Sequence, residues 1–187
     1  MQFKDILQEY YKISNQDWEI SIKYFKPEFY TANTYFLQQG NISDKLGFVK
    51  SGLLYSFVYN ENLDEVTTHF FQSGDVVISI ESFNNQIPTT ENILVFENAE
   101  LLTITYSDIK ELYKSVPIWQ QICKDVAEMK NKDLINRTLQ FQTLSATERY
   151  LQICKKYPEI IKKVPLRLIA SYLGIDIATL SRIRKKK

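Results

Sequence analysis

Val164-Pro-Leu-Arg-Leu-Ile-Ala-Ser-Tyr-Leu-Gly-Ile-Asp-Ile-Ala-Thr-Leu-Ser-Arg-Ile-Arg-Lys-Lys-Lys187 is the stretch whose reading decides the fold. Taken as two helices about a tight turn, it puts Ile169, Leu173, Ile175, Leu180 and Ile183 where two crossing helices share a core. Ala170 falls at the closest approach, where a larger side chain would push the pair apart. Gly174 falls in the turn, which needs a positive φ, and Asp176 can cap the second helix. An ordinary helical hairpin with a basic, solvated end would satisfy the same apolar pattern. Charge separates the two readings: Arg182, Lys185 and Lys186 share one side of the second helix with Ala178, flanked by Ile177, Ser181 and Arg184. Such a helix suits a DNA major groove, with Arg182 able to reach a guanine edge and the lysines the phosphates. The candidate DNA contacts are Ser171, Asp176, Ile177, Ala178, Thr179, Ser181, Arg182, Lys185 and Lys186.

The charge distribution supports that reading. The 187 residues hold 23 Lys and Arg against 22 Asp and Glu, a net charge of +1. From Lys155 onward, ten basic residues face two acidic ones, whereas residues 1–154 carry 13 basic and 20 acidic. An acidic body with a basic end points to a module for a polyanion.

Upstream, Leu144-Ser145-Ala-Thr-Glu148 has the form of a capping box, and a helix should follow through Tyr157 until Pro158 ends it. Before it, a helix is expected from Pro117 to about Thr143, with Trp119, Ile122, Val126 and Met129 along one seam. That seam could pack on the rest of the chain or pair with a second copy. The length favours the second, because a helix of about 25 residues outruns one small barrel. Ser107 is placed to cap a shorter helix before it.

From Thr31 to Ala99 the chain reads as about seven short β-branched or aromatic strands, punctuated by Gly40, Gly52, Gly74 and several Asn and Ser residues. These form a small sandwich or barrel, preceded by an amphipathic helix around Phe3, Ile6, Leu7, Tyr10 and Tyr11. No window reaches about 18 apolar residues and no signal-peptide core opens the chain, so a cytoplasmic protein off the membrane is expected. Cys123 and Cys154 lie in helical stretches and read as buried thiols. With His69 alone and no CxxC or HxxxH spacing, neither metal nor cofactor is expected, nor is an enzyme, for no catalytic constellation can be argued.

The turn glycines of Leu37-Gln-Gln-Gly40, Val49-Lys-Ser-Gly52 and Phe71-Gln-Ser-Gly74-Asp75 stand in a recognisable order. So do Leu144-Ser-Ala-Thr-Glu-Arg-Tyr150, Ile169-Ala-Ser-Tyr-Leu-Gly174 and Thr179-Leu-Ser-Arg-Ile-Arg184. With these, nearly the whole chain resembles the CRP/FNR family of bacterial transcription regulators. The resemblance implies an α+β chain: a double-stranded β-helix, or jelly-roll, barrel of cyclic-nucleotide-binding type, a long dimerisation helix, and a C-terminal winged helix-turn-helix. It divides the chain into 1–116, 117–143 and 144–187.

The departures are specific. Members that bind cyclic nucleotides carry Gly-Glu for the ribose and Arg-Ser or Arg-Thr for the phosphate; here Ile78-Ser79 and Thr89-Thr90 stand in those places. Residues 74–98 contain no Arg or Lys, and a buried phosphate without a cation is costly, so cAMP and cGMP are not expected ligands. By family position an effector pocket would involve Ser79, Glu81, Ser82, Thr89 and Thr90, although the same residues could simply satisfy local turns. The iron-sulfur branch needs an N-terminal cysteine cluster and the haem branch a His ligand, and neither is expected here. On the recognition helix, the family's Arg, Glu and second Arg become Ile177, Ala178 and Arg182, so a different site preference, with thymine-methyl contacts, is expected. A wing after Lys187 is absent or lies beyond this sequence.

The expected protein is a homodimeric, sequence-specific regulator of double-stranded DNA with room for a small-molecule effector. The alternative is a sensor whose helix-turn-helix has become a protein-contact module.

Overall fold

The computed structural model describes residues 3–185. In chain order, α1 (Phe3–Tyr11) and α2 (Asn15–Ser21) lead through a short 3-10 turn into β1 (Lys26–Tyr30), β2 (Tyr35–Leu37), β3 (Lys45–Tyr59), β4 (Glu65–Phe71) and β5 (Val76–Val77). Then come α3 (Ile80–Asn85), β6 (Asn92–Thr105), α4 (Tyr106–Ser115) and α5 (Ile118–Thr143). The chain closes with α6 (Ala146–Lys156), α7 (Pro158–Lys163), α8 (Leu166–Leu173) and α9 (Ile177–Lys185). The mixed helix-and-sheet class and the long α5 agree with the sequence reading.

The strands differ from it in two ways. Gly47-Phe-Val and Leu53 to Tyr59 are one strand, β3, and Asn92 to Phe96 and Leu101 to Thr105 are one strand, β6. The Gly52 turn signal therefore falls inside β3, where the residue takes a φ of 93°. In addition, β1 lies before Thr31, where the strand reading began; Pro27 fits there because at the edge of a sheet its missing N–H costs no ladder bond. The path through the sheet is β1-β6-β3-β4, with β2 also on β6 and β5 on β3. β1 runs antiparallel to β6 from Lys26↔Thr103 to Tyr30↔Ala99.

The chain divides into two compact units. The first comprises the described residues to Ser56 with Phe70–Met129. The barrel interior is filled by Val49, Leu54, Val77, Ile93, Val95 and Leu101, all fully buried. A second apolar cluster joins α1, α4 and the start of α5 through Leu7, Phe25, Ile109, Leu112, Trp119 and Ile122. Thr105, not Ser107, caps α4: its hydroxyl accepts from Asp108 N at 3.1 Å, which starts the helix one residue before Ser107.

The second unit comprises Phe57–His69 and the residues from Lys130 onward. Ser145 and Glu148 complete the capping box of α6: Glu148 N donates to Ser145 Oγ and Ser145 N to the Glu148 carboxylate at 2.8 Å. These bonds hold that carboxyl below its ordinary range. Pro158 does more than end α6, for it is the first residue of α7, where a missing N–H is tolerated.

Candidate nucleic-acid interface

Helices α8 and α9 are joined by Gly174-Ile-Asp176. Gly174 takes the left-handed conformation at φ 64°, and its N–H bonds back to the end of α8. A Cβ here would lie 2.7 Å from the Phe141 ring, so both backbone and space select glycine. Ile169, Ala170, Leu173 and Leu180 are at most 2% exposed and fix the two helices as one body. Asp176 caps α9: its carboxylate accepts from Thr179 N at 2.7 Å and from the Thr179 hydroxyl at 2.8 Å, which lowers its pKa. Arg182 folds back along the helix, donating to Thr179 Oγ1 at 3.0 Å and Ala178 O at 3.4 Å.

The outer face of α9 presents Ile177, Ala178, Arg182, Arg184 and Lys185, all exposed, with Thr179 and Ser181 half-buried beside them. Lys186 lies outside the described residues. Ser171 departs from its expected place: its hydroxyl donates to Glu65 O at 3.0 Å and accepts from Thr67 N at 2.9 Å. It fastens α8 to the first half of β4 instead of standing beside the α9 stripe.

The expected seam on α5 also divides. Trp119 and Ile122 are 3% and 5% exposed, inside the core of the first unit, and the indole Nε1 donates to Ser21 Oγ at 2.8 Å. They cannot face another copy, because α1, α2 and the barrel already cover that side of the helix. Val126 is half-buried, and Met129 is exposed. The open apolar side chains of α5 run from its middle to its end: Met129, Leu134, Ile135, Leu139 and Phe141.

Of the expected pocket residues, Ser79, Ser82 and Thr89 are buried, while Glu81 and Thr90 are on the surface. The buried hydroxyls engage one another and the backbone: Ser79 Oγ lies 3.1 Å from Thr89 Oγ1, and Ser82 Oγ donates to Ile87 O at 2.5 Å while accepting from Ser43 N at 2.9 Å. The arrangement pins the loop after α3. A different space, about 380 Å³ and mostly apolar, opens elsewhere in the first unit between α1, α3 and α5.

Sequence reasoning missed two arginines of the second unit. Arg137 donates to the carbonyls of Thr68 (2.7 Å), Thr67 (3.1 Å) and Tyr172 (3.0 Å) and lies over the Phe141 and Tyr172 rings. Arg149 donates to Leu173 O and Leu144 O. The available signal was the spacing of Arg137 and Phe141, four apart on a helix, which sets a guanidinium on a ring.

Residues 27–116 match the family described as Cyclic nucleotide-binding domain. The match spans just under half of the chain. Solved structures extend the likeness to the whole chain. The c-di-GMP responsive global regulator CLP of Xanthomonas campestris has a TM-score of 0.71 at 17% identity, over 92% of this chain and 91% of that one. A putative CRP/FNR-family transcriptional regulator from Eubacterium rectale has a TM-score of 0.72 at 15% identity, over 95% and 84%. The catabolite activator protein of Thermus thermophilus has a TM-score of 0.59 at 18% identity, over 93% and 83%. The chain thus has the fold of the CRP/FNR regulators. A search of curated proteins returned no match. Among the described residues of this CRP/FNR-like chain, no helix is long and apolar enough to cross a membrane.

Proposed function

We propose that this CRP/FNR-like protein is a cytoplasmic, sequence-specific DNA-binding transcription regulator that works as a homodimer, with α9 in the major groove and a sensor barrel that does not take cAMP. The observation that carries the reading is the face of α9. Ile177, Ala178, Arg182, Arg184 and Lys185 stand exposed on a helix whose opposite side is locked by Leu180 against α8. Protein interfaces are depleted in lysine at their cores, and nucleic-acid surfaces are rich in it. Two such helices about a two-fold axis would meet half-sites about 34 Å apart. The exposed Met129, Leu134, Ile135 and Leu139 of α5 supply apolar surface for pairing.

Selection of binding sites from random duplexes, followed by titration, tests this. Arg182→Ala should weaken the selected sequence by about 1–3 kcal/mol and flatten preference at one position of each half-site. To read a base, Arg182 has only to release its two weak bonds to its own helix. Lys185→Ala should weaken all duplexes alike and lower the salt slope by about one for each phosphate left without its lysine. Both variants binding every duplex like wild type would remove α9 from the DNA and favour a protein-contact module.

The reading of the barrel rests on the missing cation between residues 74 and 98 and on the engaged hydroxyls of Ser79, Ser82 and Thr89. A ligand at about a hundredfold over its Kd stabilises the native state by roughly 2.7 kcal/mol. Millimolar cAMP is expected to leave the melting temperature and DNA affinity unchanged. A rise of several degrees would overturn this part of the reading.

A further inference from the structure

A pocket of about 240 Å³ opens in the second unit among α5, α6 and α8, lined by Arg137, Arg149, Lys156, Asp133, Phe141 and Tyr172. A water molecule takes about 30 Å³ of liquid, so the space admits a phosphate group with part of its hydration. The charges in its wall do not balance. Asp133 is its one carboxylate, held by Lys156 at 2.9 Å. Among the described residues neither Arg137 nor Arg149 forms an ion pair; both donate to backbone carbonyls, which carry only partial charge. Three hydrogen bonds occupy Arg149 out of five N–H groups, and Arg137 Nε is buried without an acceptor.

Next to the pocket stands a further cation. Lys130 Nζ lies 3.5 Å from His69 Nε2, and the His69 ring meets that of Tyr157, another lining residue, edge to face. Burial, then the charges of Lys130, Lys156 and Arg137, hold the His69 imidazole well below its ordinary pKa. Cations brought close together repel one another, and an anion seated among them relieves that repulsion.

We propose that this pocket is a binding site for a small oxyanion of the phosphate class, held by Arg149, Arg137 and Lys156. Arg guanidinium groups suit phosphate oxygens because two parallel N–H groups match two acceptors, and a lysine adds a point charge. The site uses no side chain of α9 and none of the barrel loop after α3. It therefore stands or falls separately from the DNA reading and from the absence of cAMP.

His69 is the chain's only histidine, so its C2 proton gives one unambiguous signal in a proton NMR titration of the full-length protein. Pyrophosphate is the first probe, with inorganic phosphate and phenyl phosphate beside it and sodium chloride at matched ionic strength as control. An anion near the imidazole favours its charged form, so saturating pyrophosphate should raise the His69 pKa, with a Kd at or below the millimolar range. Lys156→Gln should weaken binding at least fivefold and Arg149→Gln at least tenfold. Asp133→Asn should tighten it severalfold, an effect that loss of fold cannot produce. Phenyl phosphate binding more tightly than phosphate would assign the site to an organic ester; equal affinity would assign it to the inorganic ion. A shift reproduced by sodium chloride alone overturns the proposal. So does an affinity unchanged within twofold in both Lys156→Gln and Asp133→Asn.

Discussion

Replacing Trp119 by alanine is expected to cost about 3–5 kcal/mol of stability, the range for removing a buried tryptophan or phenylalanine from a packed core. The indole is 3% exposed, with its ring centroid 5.2 Å from that of Phe25 and 6.1 Å from that of Phe3. It also donates its N–H to Ser21 Oγ, which is fully buried and itself donates to Asp17 O at 2.6 Å. Deleting the ring leaves a large cavity and an acceptor without its donor. Urea unfolding followed by circular dichroism measures the loss. A variant with an unchanged midpoint but a broken dimer would return Trp119 to an intermolecular seam and refute the core assignment.

The second large effect belongs to Gly52. Its φ is 93°, and a Cβ there would lie 2.5 Å from Ala99 Cα and 2.5 Å from Asn98 O, on the neighbouring strand. The dihedral alone costs an L-residue about 1–2 kcal/mol, and forcing β3 off β6 adds about 1–3. Gly52→Ala is expected to destabilise the protein by about 3 kcal/mol or more. Gly40 supplies the control: φ is 87°, but nothing lies within 4 Å of the added atom. Gly40→Ala should therefore carry the dihedral cost only. Equal losses at the two sites, read as urea midpoints, would show that the close approach of β3 and β6 at Gly52 is not what selects glycine.

The helix pair α8 and α9 was legible from sequence because its signals are local: apolar spacing, a glycine in the turn and an aspartate cap all lie between Ile169 and Ile183. The capping box at Ser145 and the extent of α5 were legible for the same reason. What failed needed distant partners. Ser171 looked like an exposed polar residue of α8 until β4, about a hundred residues earlier, was seen to take both of its hydrogen bonds. Trp119 and Ile122 formed a stripe, and a stripe does not say which neighbour covers it; α1 and α2 lie more than ninety residues away. Strands β3 and β6 were each divided in two because a glycine or a polar pair marks turns and bulges alike. The Arg137 clamp depends on carbonyls, which any residue can offer and no residue type announces.

The same distances govern how the protein is made. β1 has no strand partner until β6 exists: Tyr30 pairs with Ala99, and Lys26 with Thr103. β2 waits for the same strand, since Tyr35 and Leu37 pair with Leu94 and Ile93. At roughly 5–20 residues per second, a ribosome needs several seconds to cover that interval, with the first two strands emerging unpaired. Once β6 arrives, three ladders can close on it together. A nascent chain stalled before residue 92 should therefore be open to protease across β1 and β2, and one stalled well beyond residue 105 should be protected there.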